Sequence, residues 1–357
     1  MYVSLKDVAA RAGVSFQTAS KVLNGNPGVV SDRTRGRILK AARDIGYVPN
    51  ALARGLVRQS SLTVGVLIDD VTDPALSQFI LAAERTAAAE GHAVLMVAVE
   101  PGMDPALAVR KMQEQRVGGM LVIAPSLEED PRFGTALRRG PLPAVSVNHV
   151  HGGGIPLVGS DHSATGALAA EHLLGLGHRR FATVTGPRGR RVVGSRHRGF
   201  RDFLHEAGER LSPRLIAEAD WTLAGAFTAA NRLLEIKPGF TALFVHNDVM
   251  AVGVLHALRR HGLRVPDHCS IVSCDDLDFA PFLAPPLTTV HVPFQETGEL
   301  AAGFLLQLIR GKTVPNRVFL PTRLVVRDST SAPPGGASGT AVKTARSIAT
   351  LDEDGDR

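Results

Sequence analysis

Between Phe16 and Lys21, in the stretch SFQTASKVLNG, the chain carries an aromatic ring, an amide, a hydroxyl and an ammonium at positions 16, 17, 20 and 21. A packed core needs none of the three polar groups, yet each side chain has a use against DNA. Gln17 suits a bidentate pair with adenine, Lys21 donates to guanine O6 and N7, and Phe16 packs on a thymine methyl. A second polar set lies much further along. Asp70, Asn148, Asn247, Asp248, Asp275 and Asp276 follow or end apolar runs, and Arg196 sits in VGSRHRGF. An arginine fork, carboxylates and amides converging on one place would bind a polyhydroxylated small molecule through paired hydrogen bonds. Trp221, the one tryptophan, offers a flat face to a sugar ring or base. Singly, each has a plainer reading: an Asp at a strand end caps a helix, and a lone Trp belongs to a core.

The first polar set needs a rigid, exposed helix. Leu5, Val8, Ala9 and Ala12 recur at helical spacing, with Ser4 as cap, and Gly13 permits a sharp turn. Ser15 then caps a second helix whose Ala19, Val22 and Leu23 share one face. Two short helices joined by a glycine turn form a helix-turn-helix, whose second helix enters the major groove. An ordinary helical hairpin with a polar face is the alternative. The candidate DNA contacts are Ser4, Ser15, Phe16, Gln17, Thr18, Ser20, Lys21 and Asn24, with Arg33, Ala53 and Leu56 beyond. A third helix starts from Ser31 and buries Ile38, Leu39, Ala42 and Ile45, while Arg33, Arg35 and Arg37 suit phosphates. In VPNALARGLVRQSS a short helix begins at Pro49, too brief to be stable alone. It is expected to order on DNA in a dimer, with Leu56 wedged into the minor groove.

The second polar set needs two lobes. LTVGVLI, HAVLMVAV, GGMLVIA and PAVSVN read as buried strands, with helices in PALSQFILAAERTAAAEG and DPALAVRKMQEQRV. RRFATVTG, FTALFVHN and CSIVSCDD follow, separated by helices near 161–176, 194–208, 224–235 and 248–261. Strand alternating with helix predicts parallel sheets, whose strand ends hold the ligand. The fold class is therefore α/β: an all-α helix-turn-helix head plus a two-lobed, periplasmic-binding-protein-like body with parallel sheets.

Charge supports the division. Residues 1–60 hold ten Lys/Arg and three Asp/Glu, against 30 and 31 in the remainder. A basic head on a nearly neutral body suits a nucleic-acid module joined to something else. Two cysteines exclude a disulfide framework and point to a reducing cytoplasm. No apolar run spans a membrane and no signal segment opens the chain, which argues against a periplasmic sugar receptor. G-x-S-x-G, G-x-G-x-x-G, P-loop and H-E-x-x-H motifs are all missing. His149 and His151 beside a glycine run read as a loop. No catalytic residue, metal or cofactor is expected.

LKDVAARAGVSFQTASKVLNG followed by YVPNALARGL resembles the head of the lactose-repressor (LacI/GalR) family of bacterial regulators, and the resemblance runs over residues 4–328. It implies base contacts from Phe16, Gln17 and Lys21 and the wedge at Leu56. SRHRGF, HNDVMAVG, SCDD and ADWTLAGAF are similar to that family's effector motifs, which implies effector contacts from Arg196, Asn247, Asp275 and Trp221. HVPFQETG adds Phe294 at the pocket edge, and Asp70 and Asn148 complete the candidate set. DPAL stands where the family often has NPFF, so Ala75 and Leu76 cannot stack, and Asn148 stands where it often has Asp. The implied units are a head at 1–48, a hinge helix and linker at 49–61, a first lobe at 62–160 and 291–320, and a second lobe at 161–290 and 321–328, with three crossings near 160, 290 and 321. Residues 329–357 read as a disordered tail without the leucine heptads of a tetramer. The expected protein is a cytoplasmic homodimeric repressor that binds pseudo-palindromic double-stranded operator DNA under control of a sugar effector.

Overall fold

A computed structural model describes residues 3–23, 30–48, 61–100, 102–236 and 239–334. Asn24, Ala53, Leu56 and the expected hinge helix lie outside them, as does the tail from 335.

Three helices make the head: α1 (Leu5–Ala12), α2 (Phe16–Leu23) and α3 (Asp32–Asp44). Ser4 caps α1 in a reciprocal box with Asp7, and Gly13 closes it in the left-handed conformation at φ 62°, which costs glycine nothing sterically. Ser15 Oγ accepts the Thr18 N–H at 3.1 Å, satisfying one open donor of α2. Val8, Ala9, Ala12, Ala19, Val22, Ile38, Ala41 and Ala42 form the core. Leu39, expected inside, is 36% exposed; one residue on from Ile38 it is turned about 100° round the helix, and Ala41 packs instead.

The body holds two six-stranded sheets. The first runs β11-β5-β4-β3-β1-β2, all parallel: β1 (Thr63–Ile68), β2 (Ala93–Ala98), β3 (Met120–Ile123), β4 (Ala144–Ser146), β5 (Leu157–Ser160) and β11 (Arg317–Leu320). The second runs β12-β10-β9-β8-β6-β7: β6 (Phe181–Thr185), β7 (Ile216–Glu218), β8 (Ala242–Val245), β9 (Ser270–Asp275), β10 (Thr288–His291) and β12 (Arg323–Val325). The sheets are parallel as expected apart from one edge strand, β12, which pairs antiparallel with β10. β2 also departs from expectation. It lies at the sheet edge and leaves Met96 48% exposed.

Helices α4 (Pro74–Ala89), α5 (Pro105–Glu114), α6 (Pro131–Arg139) and α11 (Phe294–Ile309) accompany the first sheet, and α7 (His162–Gly175), α8 (Arg191–Glu206), α9 (Leu223–Leu234) and α10 (Asp248–Arg260) the second. The chain passes between the sheets from β5 to α7, from β10 to α11 and from β11 to β12. At the α7–α8 crossing, a Cβ on Gly199 would strike the Ser163 carbonyl and one on Gly166 the Arg196 carbonyl. Only glycine lets these backbones touch, and the contact fixes the height of Arg196 over the sheet.

The expected tail does not begin at 329. Ser329 is fully buried, accepts the Thr288 N–H at 2.8 Å and donates to the Ile271 carbonyl at 2.7 Å. Ser270 Oγ donates to the Ser331 carbonyl at 3.0 Å, and His178 Nε2 approaches the same oxygen at 2.9 Å. Residues 329–331 thus complete the polar edge of the second sheet, which their composition alone does not reveal.

Candidate functional site

In the head, the core-facing stripe of α2 turns the other side chains outward. Phe16 is 50% exposed, Gln17 and Lys21 are exposed and Ser20 is half-buried. Arg33 stands exposed at the start of α3. Ser4 and Ser15 are occupied in capping, and Thr18 is linked to Ser15 by a 2.8 Å hydroxyl contact. These three therefore hold the helix ends, while Phe16, Gln17 and Lys21 form the outward face. A half-exposed ring beside an amide and an ammonium can address base edges and methyls.

Between the sheets lies a cavity of about 840 Å³, and Asp70, Asn148, Arg196, Trp221, Asn247, Asp275 and Phe294 all line it. One part of its lining is a buried ion pair. Arg196 Nη2 donates to Asp275 Oδ1 at 3.1 Å and Nη1 to the His246 carbonyl, with the two side chains only 4% and 5% exposed. Burial pushes Asp275 up to about 8, because the opposing pull of Arg196 is outweighed once the Asp248 and Asp73 carboxylates add their repulsion. Asp275 also holds a left-handed φ of 115°, a strained setting for a non-glycine residue and one that recurs where side chains are aimed at ligands.

The other residues come from strand ends. Asn247 follows β8 and caps α10, accepting the Met250 N–H on Oδ1 at 2.8 Å; the helix-cap reading holds for it, and the residue lines the cavity as well. Asp70 makes a local turn, accepting the Thr72 N–H at 2.8 Å and hydroxyl at 2.7 Å. Trp221 precedes α9 at φ 71° and packs against Gly186. Phe294 opens α11, its ring edge-on to Phe79 with centroids 5.1 Å apart. Ala75 and Leu76 line the first-lobe wall, so that wall has no aromatic pair there.

Two carboxylates singled out with these residues do other work. Asp248 is buried behind the cavity, accepts the Leu277 N–H at 2.8 Å and the Thr289 hydroxyl at 2.7 Å, and is pushed up to about 6 by burial. Asp276 accepts from Arg327 at 2.6 Å and faces His291 at 3.2 Å. Both brace the ends of the second sheet.

Sequence reasoning passed over three features. Asp73 caps α4 and lines the cavity; the Asp-Pro pair that marks it is a helix-start signal. Glu128, Arg190 and Arg191 gather at the cavity mouth. There Arg191, from the second lobe, pairs with Glu129 of the first at 2.7 Å. His162 begins α7, and burial drives it down to about 3, so it is a neutral lining group. Among the described residues no three His, Cys, Asp or Glu side chains gather as a metal site, and no helix is long and apolar enough to cross a membrane.

Comparison with known proteins agrees with this fold. Residues 4–50 match the profile of bacterial regulatory proteins of the lacI family, and residues 170–330 match that of a periplasmic binding protein-like domain. The HTH-type transcriptional repressor CytR of Escherichia coli (strain K12) is 33% identical over 334 residues, covering 93% of this chain and 97% of that one. The HTH-type transcriptional repressor PurR of Photobacterium profundum is 30% identical over 331 residues, 91% and 98% of the two chains. Among solved structures, the lac repressor dimer bound to operator and the anti-inducer ONPF superposes with a TM-score of 0.86 at 31% identity, covering 93% and 100%. The complex of the regulator CelR with cellobiose gives 0.68 at 30% identity, covering 92% and 99%.

Proposed function

Because the chain belongs to the lacI family of bacterial regulatory proteins, we propose that this sequence-specific DNA-binding regulator is a cytoplasmic repressor whose operator affinity is set by a sugar bound between its lobes. The protein is a regulator rather than an enzyme. The observation that carries the proposal is the joining of two surfaces in one chain: an outward Phe16–Gln17–Lys21 face on α2, and a cavity lined by Arg196, Asp275, Asn247 and Trp221.

In this reading Gln17 and Lys21 read bases, Phe16 meets a thymine methyl and Arg33 holds phosphate. The head comprises 1–48, the segment 49–61 joins it to the body and carries Leu56 toward the minor groove, and the lobes exchange chain near 160, 290 and 321. Large apolar side chains left open on the body, Phe282 at 87% exposure, Leu81 at 56% and Met96 at 48%, suit burial against a second copy. Two heads of such a homodimer meet two half-sites of a pseudo-palindrome. A sugar that bridges the lobes alters their relation, and so the spacing of the heads.

Selection of duplexes from a random pool by the full chain, followed by titration of the winner with sugars, tests the proposal. Enrichment of a two-fold-related sequence whose binding a sugar changes is expected. Enrichment of no sequence, or of one indifferent to every sugar that binds the cavity, would defeat it.

A further inference from the structure

The cavity lining holds more acid than base, nine Asp and Glu side chains against five arginines. Asp275 stands on the second-lobe side and Asp73 and Asp70 on the first, and one guanidinium, that of Arg196, acts on both Asp73 and Asp275. That guanidinium is already engaged by Asp275 and by the His246 carbonyl. Asp73 accepts the Ala75 N–H at 2.8 Å and the Leu76 N–H at 3.3 Å, both on Oδ1, which leaves Oδ2 without a partner among the described residues. Capping alone does not call for a charge, since asparagine caps a helix as well as aspartate does.

Resting on the reading of this cavity as the effector site, we propose that its ligand is a polyol bearing a protonated amine, an amino sugar or aminocyclitol, with the ammonium held between Asp73 of the first lobe and Asp275 of the second. An ammonium there makes charge-assisted hydrogen bonds to both lobes at once and ties their relation to occupancy. A phosphate or carboxylate in the same place faces the Asp70 and Asp73 carboxylates and a guanidinium that is already engaged. The remaining polar lining suits hydroxyls. Arg196 Nε and Asn148 Oδ1 are buried without a hydrogen-bond partner, and Arg196 as a whole is only 4% exposed. Such groups are costly unless a ligand or water meets them. The electrostatics agree: burial holds Asp73 above its usual range, with the Asp70 carboxylate adding to it, and holds Asp275 up to about 8. A cation brought in by the ligand would favour the ionised form of both.

The test uses the full chain, with thermal shift and calorimetry at neutral pH. Glucosamine, galactosamine and 2-deoxystreptamine are set against glucose, galactose, N-acetylglucosamine and glucose 6-phosphate; the first three separate amino sugar from aminocyclitol. The expected result is that at least one amine binds ten-fold or more tighter than its uncharged counterpart. Asp73→Asn, which keeps the cap, should erase that preference, bringing the amine and its uncharged counterpart to within two-fold of one another. Neutral or phosphorylated sugars binding as tightly as the amines, or a preference that survives Asp73→Asn, would overturn the amine assignment and leave the effector site standing. If no compound of either series binds while operator binding is intact, the effector reading fails and takes this inference with it.

Discussion

Gly186 follows β6, and the Trp221 indole packs against it so closely that a Cβ there would lie 2.5 Å from Cε2 and Cη2. Ordinary contact lies at 3.4–4 Å, so in Gly186→Ala the ring has to withdraw by roughly 1 Å. The backbone at Gly186 does not itself resist alanine, because its φ lies outside the left-handed region. Trp221 has little room to comply. It is held at φ 71°, and Thr222 immediately after it caps α9 by accepting the Gly225 N–H. Overpacking of this kind costs ~1–3 kcal/mol, which in a body of this size lowers Tm by roughly 2–4 °C per kcal/mol. Since Trp221 is the one tryptophan, intrinsic fluorescence reports the displaced ring directly. The expected result is a shifted emission maximum, a Tm lower by a few degrees, at least ten-fold weaker binding of a sugar that stabilises the wild type, and unchanged operator affinity. Unaltered emission together with unaltered sugar binding would refute the reasoning that Gly186 sets the indole as a wall of the cavity.

Lys21→Ala should cost ~1–3 kcal/mol of affinity for a selected duplex if Lys21 reads a base; competition against base-substituted duplexes checks this, and equal weakening on all of them would assign Lys21 to phosphate. Arg196→Met should destabilise the second lobe by ~3–5 kcal/mol in urea unfolding, because Asp275 is then buried without its partner, and adding Asp275→Asn should recover much of the loss. Folded Glu128 keeps its proton up to about 7, whereas an unfolded glutamate releases it near its ordinary value of 4.5. Raising the pH between those values therefore strips the unfolded chain first, and stability falls. Glu128→Gln should consequently melt above the wild type at pH 8, by up to roughly 3 kcal/mol, with the gain gone by about pH 4.5; a gain that does not depend on pH would contradict it.

Periodicity made most of the fold legible. Each of the seven apolar runs contains a strand, because strands of a parallel sheet covered by helices read as near-continuous Val, Ile and Leu; β2, at the edge, keeps the run without the burial. The short elements did not announce themselves. β7 and β12 have three residues each and β5, β10 and β11 four, and each includes Glu, Arg, Ser, Thr or His, whereas the equally short β3 and β8 are apolar throughout; α6 hides behind Pro131 and carries three arginines in nine residues. Leu39 shows the same limit from the other side: its residue type says core, while its angle on α3 says solvent. In the cavity, strand-end position brought Asn148, Asn247 and Asp275 into view because a parallel sheet delivers all its carboxyl ends to one edge. It could not separate Asp275 from Asp276, since neighbouring residues at a strand end point to opposite sides. Asp73 and Glu128 stayed hidden because their significance lies in groups contributed by distant segments of the chain.

Affinity of the full chain for its selected duplex, followed by fluorescence anisotropy with and without a saturating cavity ligand, tests the central claim most directly. The account predicts a change of ten-fold or more, within the ~1–3 kcal/mol usual for coupled sites, and the same factor when ligand affinity is measured with and without duplex. Identical operator affinity while calorimetry shows the cavity filled would contradict it.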